Sequence, residues 1–317
     1  MAGRKWSKYE DEYVKRNYGA MTCNEISKHI NRTKMAVRKR LEVLGLTKPA
    51  KKYTFNESYF EKIDREDKAY WLGFIAADGA VVDDKETKRV KIALRFSDVG
   101  HLIKFRAAIH GNMPIKKKRS VNKKWNIYTD ECLITVHSKK MVKDLENLGL
   151  YPRKTYALPF PSEEQVPLKY IKDYLRGFID ADGSFTLRQR KGHKLPSTEF
   201  SIVGATKQFL EDCASFLSET LNIRAKVYDK RKGNWRVIVS SCSDVLTILN
   251  YIYDDIESPY FTFLTRKIKK HLSIQQICAV SIRNNGYNQP GKNWKPKLSI
   301  SMVIRAEGNM PRAEHSR

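Results

Sequence analysis

The sequence predicts an α+β protein in which two αββαββα units, related by a pseudo-twofold axis, follow a small three-helix domain. Three observations carry that expectation. Tyr70-Trp71-Leu72-Gly73-Phe74-Ile75-Ala76-Ala77-Asp78-Gly79 recurs as Tyr174-Leu175-Arg176-Gly177-Phe178-Ile179-Asp180-Ala181-Asp182-Gly183, with seven of ten positions identical at an offset of 104 residues; repetition of this kind marks a duplicated structural unit. Each copy is followed by the same order of period-2 and helical segments. Ser7 to Glu10 and Thr22 to Glu25 both fit the S/T-x-x-E capping box, in which side chains and backbone amides satisfy one another at a helix start.

The first segment, residues 1–48, reads as three short helices. Ile26 and Ile30 share a face, Asn31-Arg32 turns the chain, and Thr33 caps a third helix that sends Val37, Leu41 and Leu44 inward and stops at Gly45. Lys34, Arg38, Lys39 and Arg40 form its basic side. Such a unit resembles a Myb-like helix-turn-helix, whose last helix would enter the major groove of DNA. Residues 49–58 read as a linker, with Pro49 ending the helical periodicity. The first repeat unit then spans 59–151, with strands near Val90 to Phe96, Ile115 to Lys118, Ile127 to Thr129 and Leu133 to Val136, and helices near Leu102 to Ile109 and Lys139 to Leu148. Pro152, Pro159, Pro161 and Pro167 make 152–168 an extended linker. The second unit, 169–282, has strands near Phe185 to Arg190, Phe200 to Val203, Ala225 to Tyr228 and Trp235 to Val239, and a helix from Gln208 to Leu221. Residues 283–317 read as a flexible tail, with an unassigned strand at Leu298 to Ile304.

Composition narrows the function. The chain has 317 residues and 60 Lys and Arg against 35 Asp and Glu, a formal charge of +25, while 41% of it is hydrophobic. There is enough apolar material for a core, so this is not a charged disordered tail, and a basic globular protein calls for a polyanionic partner, nucleic acid first. No run approaches a membrane span, and Met1 to Ser7 lacks the apolar core of a signal peptide, so an intracellular protein is expected, in a bacterial or phage-infected cytoplasm or in an organelle. Five scattered cysteines without a CxxC pair read as buried free thiols.

The repeat carries the chemistry. Gly73 and Ala77, like Gly177 and Ala181, stand at i, i+4 and form a stripe of small residues along which two helices can pack closely. Asp78 and Asp182 follow each stripe, and Gly79 and Gly183 come next, where the helices must stop. A twofold axis would bring both acids to one end of the pair. Carboxylates at helix C-termini oppose the helix dipole, so a hard divalent cation is expected there, on carboxylate and backbone carbonyl oxygens together with substrate phosphate. Applied to DNA, that is metal-assisted phosphodiester hydrolysis.

With these residues the chain resembles a single-chain LAGLIDADG homing endonuclease over about Tyr53 to Ile282, Trp71 to Gly79 and Leu175 to Gly183 standing as the two motif copies. The resemblance implies a central helix pair, two four-stranded sheets forming a saddle on double-stranded DNA, and metal-dependent cleavage of both strands across the minor groove by a monomer. It implies two or three Mg²⁺ ions, replaceable by Mn²⁺, on Asp78, Asp182 and the carbonyls of Ala77 and Ala181. Lys154 and Lys267 match the family's lysines, polarising water or clamping phosphate. Asp98 fits a polar support for the active-site water, with Gly204 in the equivalent place of the second half. Ala76, opposite Asp180, departs from the motif's sixth position and is read as a change in helix packing. An intron-splicing maturase acting on intron RNA, or a non-cleaving regulator, are the rival readings; an intein is disfavoured because the chain lacks the expected Cys or Ser start and His-Asn end.

On such a saddle, alternate strand residues face the groove. Lys91 and Arg95, Lys116 and Lys118, Arg188 and Arg190, and Lys226, Tyr228 and Lys230 alternate in this way, with Arg236 on the neighbouring strand; together with Lys34, Arg38 and Arg40 they are the expected DNA contacts.

Overall fold

The computed structural model describes residues 4–18, 20–46, 53–84, 87–122, 126–153, 157–188, 191–193, 196–231, 233–254 and 262–284. The chain divides into two compact units, Met1–Tyr53 and Thr54–Arg317.

In the first unit, α1 (Lys8–Asn17), α2 (Cys23–His29) and α3 (Lys34–Val43) enclose Val14, Ile26, Ile30, Val37 and Leu41. Both capping boxes form, at Ser7 with Glu10 and at Thr22 with Glu25, and Thr33 Oγ1 accepts from the Ala36 amide at 3.1 Å. Five apolar side chains make a small core, and cationic struts supplement it. Arg32 donates to Glu10 at 2.9 and 3.0 Å and to the carbonyls of Arg4 and Lys5 at 2.7 Å each. Arg40 forks onto Asp11 at 2.7 and 2.5 Å, and both guanidinium groups lie against the Trp6 ring. Bidentate pairs of this kind fix orientation as well as charge.

In the second unit, the repeat residues form α4 (Glu66–Asp78) and α7 (Leu168–Asp182). Each leads directly into a sheet. After α4 come β1 (Gly79–Asp83), β2 (Lys88–Arg95), a 3-10 turn (Phe96–Asp98), α5 (Val99–Ala108), β3 (Lys116–Asn122), β4 (Ile127–His137) and α6 (Lys139–Asn147). After α7 come β5 (Gly183–Arg188), β6 (Ser197–Gly204), α8 (Lys207–Leu221), β7 (Lys226–Arg231), β8 (Asn234–Val239), α9 (Cys242–Tyr253) and α10 (Thr265–Asn284). Both sheets are antiparallel with the same strand order, β1-β2-β4-β3 and β5-β6-β8-β7. Val90, Ile92, Cys132, Ile134 and Val136 face the core from the first, and Phe185, Phe200, Ile202, Val237 and Val239 from the second.

The pairing of α4 with α7 rests on two glycines. A Cβ on Gly73 would lie 1.9 Å from the Tyr174 carbonyl oxygen, and one on Gly177 would lie 1.9 Å from that of Tyr70. The reciprocal contact carries the twofold relation into the backbone. Tyr70 to Ala76 are all buried, as expected of a helix apolar on every side.

Several boundaries differ from expectation. Residues 54–58, read as linker, are tied to the second unit, the Thr54 amide to Asn112 Oδ1 at 2.9 Å and the Asn56 amide to the Ile109 carbonyl at 2.8 Å. Within the proline-rich segment Leu158 and Val166 are buried, so its described part packs on the core. The 20-residue helix α10 has no counterpart in the repeat pattern and was not anticipated. Gly79 and Gly183 have φ of −81° and −76°, in the extended region, so left-handed capping does not explain them. The reason is steric: an added Cβ would lie 2.7 Å from Ile75 Cα or 2.8 Å from Ile179 Cα. Cys132, Cys213, Cys242 and Cys278 are buried free thiols, and Cys23 is partly exposed. No helix among the described residues is long and apolar enough to cross a membrane. The strand expected at Leu298 to Ile304 lies outside the described residues.

Candidate active site and nucleic-acid interface

Asp78 and Asp182 are the last residues of α4 and α7, exposed at the ends of helices whose central turns are buried. The next residue of each chain segment, Gly79 or Gly183, opens a strand and pairs with Ile92 or Ile202. Each acid therefore sits at the junction of central helix and sheet.

Lys267, in the first turn of α10, joins them. Its Nζ donates to the carbonyls of Ile179 at 3.0 Å, Ala181 at 3.1 Å and Gly183 at 2.8 Å, using all three ammonium hydrogens on the C-terminal end of α7. Burial pulls its pKa below the usual lysine value, and the charges of Asp180, Asp78 and Asp182 act in the opposite direction. One ammonium thus lies in the field of both carboxylates. Beside it, Arg266 Nε pairs with Asp98 Oδ2 at 2.8 Å.

That contact gives Asp98 a partner within the protein. Its carboxylate is buried and ion-paired, and it begins α5 as the N-cap residue, a place taken in the second half by Thr206 at the start of α8. Gly204 is not its equivalent. Since Gly79 pairs with Ile92 and Gly183 with Ile202, sheet register aligns Gly204 with Leu94. The 3-10 turn Phe96–Asp98 makes the first half two residues longer here, an insertion that linear spacing could not reveal. Gly204 and Thr206 instead line a cavity of about 90 Å³ with Asp182, Ala76 and Ala77, closed by Leu158, Phe178 and Phe209.

Among the described residues no group of three or more His, Cys, Asp or Glu side chains could hold a metal. The donor set is two carboxylates plus backbone carbonyls at two helix C-termini, which is oxygen-only and negative, and fits a hard cation that keeps much of its water. The Ala181 carbonyl already accepts from Lys267. Lys154 lies outside the described residues.

The sheets' outer faces carry the expected cations unevenly. Lys91 and Arg95 alternate with buried Val90, Ile92 and Leu94, and Lys116 and Lys118 lie on the same face by register with Leu133 and Glu131. In the second sheet Arg188, Lys226 and Tyr228 are exposed, and Tyr228 pairs with Arg236. Arg236, however, is held by Glu199 and by Ser201 Oγ at 3.2 Å across the strands. Lys230 falls where the β7 to β8 register shifts, between Asp229 and Arg231, so the alternation expected from Lys226 does not reach it. Arg190 lies outside the described residues. In the N-terminal unit Arg40 is an internal strut to Asp11, whereas Arg38 and Lys39 border an open hollow on α3 with Met35, Ala36 and Glu42.

Residues 169–253 match the model of the LAGLIDADG-like domain. That stretch covers α7 to α9 of the second half, and the first half repeats its strand order. No curated protein matches the chain. Among solved structures, the chain is similar to the meganuclease I-SmaMI bound to uncleaveable DNA, at 16% identity over 76% of this chain and 97% of that one, TM-score 0.45. It is similar also to the LAGLIDADG homing endonuclease I-LtrWI bound to target DNA, at 14% identity over 81% and 99%, TM-score 0.48. A third is the LAGLIDADG homing endonuclease I-GzeII in complex with its DNA target, at 12% identity over 77% and 98%, TM-score 0.46.

Proposed function

We propose that this chain is a site-specific double-strand DNA endonuclease that hydrolyses phosphodiester bonds with a divalent cation. The observation that carries the reading is the pair of exposed carboxylates, Asp78 and Asp182, at the ends of two helices locked together by Gly73 and Gly177, with Lys267 in the field of both. Two acids related by a twofold axis suit a substrate whose strands are related in the same way. A single chain supplies both, so a monomer suffices.

Asp78 and Asp182 would hold the cation, with backbone oxygens of Ala77 and Ala181. When bound, a divalent ion such as Mg²⁺ lowers the pKa of water and stabilises the leaving oxygen. The protein's own part is positioning. Lys267 offsets the negative potential at the end of α7, where its ammonium is spent on three backbone carbonyls. The cavity lined by Asp182 and Thr206 has room for a water. Lys91, Arg95, Lys116, Lys118, Arg188, Lys226 and Tyr228 face outward on the sheets, where they would meet base edges and phosphates. The N-terminal unit would add a contact through α3, with Lys34, Arg38 and Lys39 as its cations.

The test is cleavage-site selection on random duplex DNA with Mg²⁺, followed by Asp78→Asn and Asp182→Asn on the selected target. Each substitution is expected to lower double-strand cleavage at least 10³-fold with DNA binding retained. Full cleavage by either variant overturns the assignment. Binding in the absence of any cutting by the unmodified chain would favour a non-cleaving role.

A further inference from the structure

The motif's sixth position breaks the twofold symmetry, with Ala76 on α4 and Asp180 on α7. Asp180 is fully buried and accepts three hydrogen bonds, from Tyr70 Oη at 2.8 Å, Tyr253 Oη at 2.7 Å and the Leu264 amide at 2.7 Å. The third donor stands immediately before α10, and its neighbours are gripped as well. Arg176 takes the Thr262 carbonyl at 2.9 Å and Thr262 Oγ1 at 3.0 Å. Lys104 of the first half donates to the Phe263 carbonyl at 3.0 Å and lies over the Phe263 ring. Arg266 pairs with Asp98, also of the first half, and Lys267 ends on the α7 carbonyls. The segment Thr262 to Lys267 is thus a clasp held by both halves.

We propose that Asp180 is a positioning residue which, by accepting from the Leu264 amide, sets the first turn of α10 and so holds Lys267 at the α7 terminus beside Asp182. Its counterpart Ala76 has no acceptor to offer, so the clasp serves one side of the dyad. Physically, a buried carboxylate must have its lone pairs satisfied, and three donors from α4, α9 and the start of α10 meet that need only when the clasp is closed. The closed clasp in turn puts the Lys267 stem at the right height to reach three carbonyls. The inference rests on the nuclease reading for its catalytic consequence: the two strands should depend unequally on Asp180.

The first readout needs no DNA. Reductive methylation of the full chain, followed by mass spectrometry, should find Lys267 labelled at least tenfold more slowly than exposed Lys269 and Lys270, and Asp180→Ala, which removes the acceptor, should remove most of that protection. Tyr253→Phe, which keeps the Leu264 contact, should leave Lys267 protected. The second readout uses a cognate duplex labelled on each strand. Asp180→Ala should slow nicking of one strand at least tenfold, the other less than threefold, and accumulate nicked product, with binding affinity within threefold of the unmodified chain. Where Asp180→Ala gives no cooperative melting transition, Lys104→Met carries the labelling test, since it releases Phe263 and leaves Asp180 in place. Lys267 protection unchanged in the clasp variant, or equal slowing of both strands, overturns the proposal. A chain that never cuts DNA but shows the labelling shift would sink the nuclease reading alone.

Discussion

Gly73 and Gly177 decide how close the two central helices come, and their substitution separates two opposing effects. Alanine is the better helix former by about 1 kcal/mol. Here its Cβ would sit 1.9 Å from a backbone oxygen of the opposite helix, and a backbone cannot rotate aside as a side chain can. Overpacking therefore dominates. Gly73→Ala or Gly177→Ala is expected to lower unfolding free energy by about 3 kcal/mol or more, read from urea denaturation; a loss under 1 kcal/mol would contradict the close approach. Glu10 offers a second test at this scale. The Arg32 guanidinium beside it, then the Ser7 amide, hold its carboxyl far below the usual range. A depressed carboxyl contributes stability that is complete above its unfolded pKa of about 4.3 and is lost as pH falls toward the folded value. Hydrogen exchange over residues 8–43 should accordingly quicken as pH drops below about 4, after correction for intrinsic rates. In Glu10→Gln that pH dependence should weaken, the lowered carboxyls of Asp11 and Glu25 keeping the rest, with exchange faster than in the unmodified chain at neutral pH.

At the scale of elements, α3 separates two kinds of arginine that look alike in sequence. Arg40 forks onto Asp11 and lies over Trp6, while Arg38 borders the open hollow with Met35 and Lys39. Arg38→Ala is expected to weaken DNA binding several-fold with little change in stability, and Arg40→Ala to lower the stability of the unit with its fork onto Asp11 gone. Fluorescence anisotropy and thermal melting of the two variants would check the pair, and the reverse pattern would refute it. The same contrast shows what the sequence could convey. Capping boxes, the Gly-x-x-x-Ala stripes and the alternation of β2 are local patterns, so helix starts, the central pair and the second sheet were legible, whereas in the first sheet β1 went unread and the single strand β4 was expected as two. Partners far along the chain were not: Arg40 with Asp11, Asp98 with Arg266 and Asp180 with Leu264 depend on tertiary closure. Nor could spacing align Asp98 with Thr206, because a two-residue insertion in a 3-10 turn shifts the register only when strand pairing is known.

For the molecule as a whole, the +25 charge is divided between the two units. Residues 1–53 hold 14 Lys and Arg against five Asp and Glu, a net of +9, and the remainder carries +16. Part of the first share is internally neutralised, since Arg4 and Arg32 meet Glu10 and Arg40 meets Asp11. Each cation that reaches a phosphate releases counterions, and the logarithm of affinity falls with that of salt at about 0.9 per contact. If the outward cations of both sheets engage DNA, affinity of the full chain should drop on the order of 10³-fold or more between 50 and 200 mM salt. Each unit has its own apolar core, so a chain starting at Thr54 should still fold. Its salt slope should be shallower by about 0.9 for every phosphate contact that the first unit makes. Loss of slope with an unchanged selected target would mean that the first unit contacts phosphates alone. An altered target would mean that α3 reads bases, and an unchanged slope would remove the N-terminal unit from the interface.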